Sequence, residues 1–154
     1  MKHATMHVAW LTVAVGVCVQ PVMRRDSSQG AGAIGYLRAI HSAQQTFAFV
    51  CGAGLYAASL DDLQVPTPGT STGFIAPHVA TESMGYTFAL DAVGPSRTEA
   101  SCNGALLASS YFAHAEPLRN QQAPSFAIDA TGSVYTRRDG AAIAPSLRGA
   151  ERMR

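Results

Sequence analysis

The feature that most constrains this chain is a single long stretch with helical periodicity at residues 33–51. Its apolar residues recur at steps of three and four, so they share one side of a helix, while Arg38, Gln45 and Thr46 lie elsewhere. Glycines at 52 and 54 are typical of a helix C-terminus. We therefore predict an amphipathic helix of about 28 Å, which needs another layer to cover its apolar side.

After this helix the sequence changes to the alternation of β-strands. Ser59 with Asp61 and Asp62 first predicts the start of a short helix. Strands are then predicted at 86–90, about 109–115, 126–129 and 133–136, with Gly132 supplying the positive φ of a turn between the last two. One long helix and four short strands indicate an α+β fold with the helix packed on a small antiparallel sheet.

The apolar sides of these elements predict the core, because a half-apolar helix and half-apolar strands hide those sides in each other. The predicted helix–sheet core consists of Leu37, Ile40, Phe47 and Val50 from the helix and Tyr86, Phe88, Phe126 and Ile128 from the strands.

The N-terminal 25 residues predict a signal or membrane anchor. Residues 8–19 are uncharged and mostly apolar, which fits a signal-peptide core better than a bilayer span of about 20 residues. Arg24 and Arg25 follow with no small-residue cleavage site directly after the run, which favours an uncleaved anchor. A buried helix of a soluble protein is the other interpretation. Residues 26–32 are small and predict a flexible linker.

Several of these segments also carry a resemblance to a known family. The helix exit AIGYLRAIHSAQQTF, the turn with Tyr56 and the segment SLDDL resemble type IV pilin-like proteins, in particular the major pseudopilins of type II secretion systems. GYTFAL and FAIDATGSVY continue the similarity towards residue 136. The family's N-terminal processing motif is not matched.

The resemblance implies a pilin-like α+β domain at residues 26–136 and a structural or assembly role at the bacterial cell envelope. The chain would be anchored in the inner membrane facing the periplasm, or would lie in an extracellular filament. Its partners would be other pilin-like subunits or copies of itself, with the apolar segment contacting the membrane. An exported or membrane-anchored binding module that keeps only the fold is the alternative.

Export would place the cysteines in an oxidising compartment, so we predict a disulfide between Cys51 and Cys102, with Cys18 apart in the apolar segment. Two buried free thiols are the alternative. Residues 137–154 carry five arginines against Asp139 and Glu151 without periodicity, which predicts a basic, disordered tail.

No chemical motif indicates catalysis. The sequence has no C-x-x-C, G-x-S-x-G, H-E-x-x-H or P-loop pattern, so we predict a protein that is not an enzyme and has no cofactor or metal site. His3 and His7 have metal-ligand spacing but no third ligand near them, and the glycines at 30, 32 and 35 lack the strand of a dinucleotide site. With 11 basic and 10 acidic residues, the charge balance gives no indication of a nucleic-acid partner.

Overall fold

The computed structural model describes residues 23–76, 82–97, 101–118 and 123–154. Within these ranges the fold is α+β, with one long helix packed on an antiparallel sheet, as predicted. The helices are α1 (Met23–Val50) and α2 (Leu60–Gln64). The strands are β1 (Tyr56–Ala57), β2 (Glu82–Ser83), β3 (Tyr86–Arg97), β4 (Leu107–Pro117), β5 (Ser125–Asp129), β6 (Val134–Arg137) and β7 (Glu151–Arg152).

The sheet is larger than predicted. In the described part of the chain, β2 to β7 lie side by side in sequence order, and β1 pairs with the start of β4. The expectation of four strands is therefore wrong, because β3 to β6 are the predicted strands and the others have two residues each. A two-residue strand is too short to show an alternating pattern. β3 also continues to Arg97, beyond residue 90 where the predicted strand ends, and Gly94 and Pro95 occupy an irregularity in its pairing with β4.

α1 continues through the predicted linker at 26–32. The glycines in this stretch face close neighbours on the sheet side. A side-chain carbon added at Gly30 would lie 3.3 Å from the Phe126 ring, and one at Gly32 would collide with the Met84 sulfur. These glycines therefore let helix and sheet approach each other, and packing outweighs their poor helix propensity.

The main core lies between α1 and the sheet. Leu37, Ile40, Phe47, Tyr86, Phe88, Phe126 and Ile128 all belong to this buried cluster. Val50 is 59% exposed, so its assignment to the core is wrong. Ala33 and Cys51 are both buried and are eighteen residues apart, which is five turns of helix. The middle of the buried stripe runs from Ala33 to Cys51, and Val50 points about 100° from that line, at the edge of the stripe.

The C-terminal segment is a third layer where disorder was predicted. β7 pairs with β6, and Ile143 is 2% exposed in a cluster with Phe112 and Ala127 on the face of the sheet opposite α1. Val93, Tyr135 and Leu147 pack around it. The segment between β6 and β7 consists of turns and irregular structure, and only isolated apolar residues in it contact the sheet, so its sequence shows no helical or strand periodicity.

The predicted anchor, Cys18, His3 and His7 lie outside the described residues, which begin at Met23. Within the described ranges, no helix combines the length and apolar character that crossing a bilayer demands.

Candidate functional site

The side of α1 that faces away from the sheet takes no part in the helix–sheet core. Its exposed residues are Ala31, Gly35, Arg38, Ala39, Ser42, Gln45, Thr46, Phe49 and Val50. Arg38 is the one charged residue among them, and Phe49 at the end is 91% exposed. We call these nine residues the open face of α1. A smooth, weakly charged helix face ending in an exposed aromatic ring is suited to contact with another protein.

A disulfide fixes the C-terminal end of this face. Cys51 and Cys102 are joined as predicted, with their Cα atoms 4.8 Å apart, and the Cys102 backbone N–H donates to the Cys51 carbonyl at 3.1 Å. The backbone N–H of Gly52 donates to the Phe47 carbonyl and that of Gly54 to Ala48, where Gly54 has a φ of 88°. The bond therefore ties the last turn of α1 to the connection between β3 and β4.

Polar side chains inside the helix–sheet interface fix the position of α1. Gln44 is fully buried, and its amide donates to the Ala57 carbonyl and accepts from the Ala57 N–H, both at 2.9 Å. His41 Nδ1 and the Tyr111 hydroxyl are hydrogen-bonded at 2.5 Å. Burial raises the pKa of Tyr111, with smaller contributions from Tyr56 and Asp129. Tyr111 is only 1% exposed, so its contact with His41 belongs to the packing of α1 on the sheet.

The outer face of the sheet carries a second polar group around His114. Its Nε2 lies 3.4 Å from Asp91 Oδ2, and its Nδ1 lies 3.2 Å from Glu116 Oε1 without the alignment of a hydrogen bond. The two carboxylates therefore approach opposite nitrogens of one ring, so they do not converge on a single point. In the described ranges no three His, Cys, Asp or Glu side chains are arranged to hold a metal ion.

Sequence reasoning located the disulfide and most of the core, but it missed Gln44, His41 with Tyr111, and the group around His114. Gln44 could not be found from the sequence because its side-chain amide is hydrogen-bonded to the backbone of Ala57, 13 residues away in β1, and a hydrogen bond of this kind leaves no periodic pattern. The His114 group joins neighbouring strands, so the only available signal is the register of β3 against β4.

Comparison with protein-family models, with curated proteins and with solved structures gives no match for this chain.

Proposed function

We propose that this protein is a structural or assembly subunit of a type IV pilin-like or pseudopilin system at the bacterial cell envelope. The observation that carries the proposal is the continuity of α1. In the sequence, only Gln20, Pro21 and Val22 separate its start from the apolar run at 8–19. The helix begins at Met23 and extends unbroken for 28 residues. At about 1.5 Å per residue this is roughly 42 Å of helix.

The exposure of α1 supports the proposal, because the sheet covers only one side of it. The open face presents nine residues with a single charge, and it ends at Phe49 and Val50, which are 91% and 59% exposed. Exposed apolar surface of this kind is stabilised when a neighbouring molecule covers it. Copies of the same chain packed along their helices would do so.

The attachment of α1 to the sheet supports a mechanical role. Gln44 holds the helix to β1, and the Cys51–Cys102 disulfide holds its last turn to the sheet connection. A covalent bond at one end and close glycine packing near Gly30 keep helix and sheet together as one unit. A subunit that transmits force through its helix needs such an attachment.

The test is to produce the full-length chain in a host with the matching assembly system and to fractionate the cells. We expect the chain in the membrane fraction, released by detergent and not by salt, and a Val13→Arg variant in the soluble fraction. Val13→Leu is the matched control and should behave like the unchanged chain.

Contact between copies is tested on the same cells with a cysteine placed on the open face. Ser42→Cys should give disulfide-linked copies on oxidation, whereas Ser71→Cys, in an exposed loop, should not. Recovery only as a soluble monomer with its first 23 residues removed would reject the proposal in favour of an exported binding module.

A further inference from the structure

We propose that the end of the sheet at β6 and the β6–β7 connection docks onto anionic phospholipid headgroups. The surface consists of Arg137, Arg138 and Arg148. The inference rests on the proposed membrane anchoring of the apolar N-terminal segment, and it adds a second contact with the bilayer that neither the apolar run nor the open face of α1 provides.

The first step is the direction of the sheet relative to α1. Phe126 of β5 packs at Gly30, whereas Ala130, after the end of β5, accepts a hydrogen bond from the Gln45 side chain. β5 therefore starts near the N-terminal part of α1 and runs towards its C-terminal part. Because Ser125 pairs with Arg137, the end of β6 lies beside the N-terminal part of α1.

The second step is the distance from the predicted bilayer. Gly30 is seven residues into α1 from Met23, which is about 10 Å along the axis. Arg137 lies one strand residue beyond Thr136, which pairs with Phe126, and therefore still closer to the helix start. The headgroup layer on one side of a bilayer is roughly 5–8 Å thick, so extended arginine side chains at this end reach it when the apolar run is embedded.

The third step is how much positive charge at this end of the sheet is free to interact with lipid headgroups. Arg137 is held by Asp139 through Nε to Oδ1 at 2.8 Å and Nη2 to Oδ2 at 3.0 Å. Arg138 is 86% exposed and lies 3.7 Å from Glu151, a loose surface pair that is worth little in water. Gly149 lies against the Arg137 guanidinium, which brings the exposed Arg148 to the same end.

The charge is distributed unequally across the sheet from β3 to β7. Among the side chains that the structure describes, the carboxylates of Asp91 and Glu116 are grouped around His114 on β3 and β4 without an arginine, whereas the three arginines on the side of β6 and β7 outnumber Asp139 and Glu151 there. β4 and β6 are two strands apart, about 10 Å, which is one Debye length in ordinary buffer. The protein should therefore lean towards an anionic bilayer with the β6–β7 side nearest the lipid.

The experiment uses the full-length chain, isotope-labelled, in lipid nanodiscs of phosphatidylcholine alone or with phosphatidylglycerol as a third of the lipid. A gadolinium chelate on a few headgroups broadens the amide signals of residues near the surface. We expect broadening at Arg138 and Arg148 that is stronger in the anionic discs, weaker at Leu118 on the acidic side, and absent at Leu106.

Matched variants assign the contact to these side chains. Arg138→Gln with Arg148→Gln should weaken the headgroup contact about fivefold for each arginine removed, and higher salt should weaken it as well. Arg38→Gln removes the same charge about 22 Å along α1 from Met23, so it should leave the broadening unchanged.

The outcomes separate this inference from the proposed function. A chain that enters both kinds of disc but shows equal broadening on the two sides of the sheet, or no response to the double variant, overturns the lipid contact alone. A chain that enters neither kind of disc overturns the anchor, and the lipid contact fails with it.

Discussion

Phe47 and Phe49 are two residues apart on α1, yet they face opposite environments. Phe47 is fully buried and packs edge-on against Phe74 with ring centroids 5.2 Å apart, whereas Phe49 is 91% exposed. Phe47→Ala should therefore lower the free energy of unfolding by about 3–5 kcal/mol, and Phe49→Ala by less than about 0.5 kcal/mol. Denaturant titration of both variants checks this, and equal losses would contradict the observed orientation of the helix.

Gln44 and Gln45 form a second matched pair at the residue scale. Gln44→Ala leaves the N–H and carbonyl of Ala57 without their partner in a buried position, which should cost about 2–4 kcal/mol of stability. Gln45 is exposed and its amide is 3.5 Å from the Ala130 carbonyl, so Gln45→Ala should be nearly neutral. A thermal or denaturant comparison in which both variants behave alike would remove the role assigned to Gln44.

The sequence period is sufficient to place Phe47 in the core but not to place Val50 or Gln44. A periodic pattern predicts that apolar residues are buried and polar residues are exposed. It therefore assigns the buried Gln44 and the exposed Val50 to the wrong environments. Their true positions follow from the angle of the stripe and from a hydrogen bond to β1, and both depend on tertiary packing.

At the scale of elements, the turn between β5 and β6 is organised by one carboxylate. Asp129 Oδ1 accepts from the Thr131 hydroxyl at 2.6 Å and from the backbone N–H groups of Thr131 and Ser133, and Oδ2 accepts from the Tyr135 hydroxyl at 2.9 Å. Burial acts to raise the pKa of Asp129, but these hydrogen bonds outweigh it and lower the pKa.

The lowered pKa predicts acid sensitivity. Because the pKa of Asp129 is lower in the folded protein than in the unfolded chain, its contribution to stability is complete above about pH 5 and is lost as the pH falls below about 4. Asp129→Asn should flatten this part of the stability–pH curve, measured by denaturant titration between about pH 3 and pH 7. The exposed Asp61→Asn serves as control, and an unchanged slope in Asp129→Asn would contradict the assignment.

Elements of four or more residues could be predicted from the sequence, and shorter ones could not. The four predicted strands correspond to β3 to β6, whereas β1, β2 and β7 have two residues each and are defined only by their partners. The linker predicted at 26–32 is helical because Gly30 and Gly32 meet Phe126 and Met84. A glycine that terminates a helix and one that permits close packing look the same in a sequence.

At the scale of the whole molecule, the sheet has a core on each face. α1 covers one face, and the segment after β6 covers part of the other through the cluster of Ile143, Phe112 and Ala127. The sequence predicts only the first core, because the second depends on isolated apolar residues in a segment rich in arginine and glycine. The lipid contact proposed above also depends on this segment, since an ordered β6–β7 connection holds Arg148 beside Arg137.

The order of this segment can be tested at Ile143, which is 2% exposed. Ile143→Ala removes its contacts with Phe112 and Ala127, so we expect a loss of about 2–4 kcal/mol of stability. Faster amide hydrogen exchange is also expected at Met153, whose N–H donates to the Val134 carbonyl at 2.8 Å. Ala144→Ser, at an exposed neighbouring position, is the control. Rapid exchange at Met153 in the unchanged protein, with no further increase in Ile143→Ala, would show that the segment does not hold to the sheet, and Arg148 would then lack a fixed position.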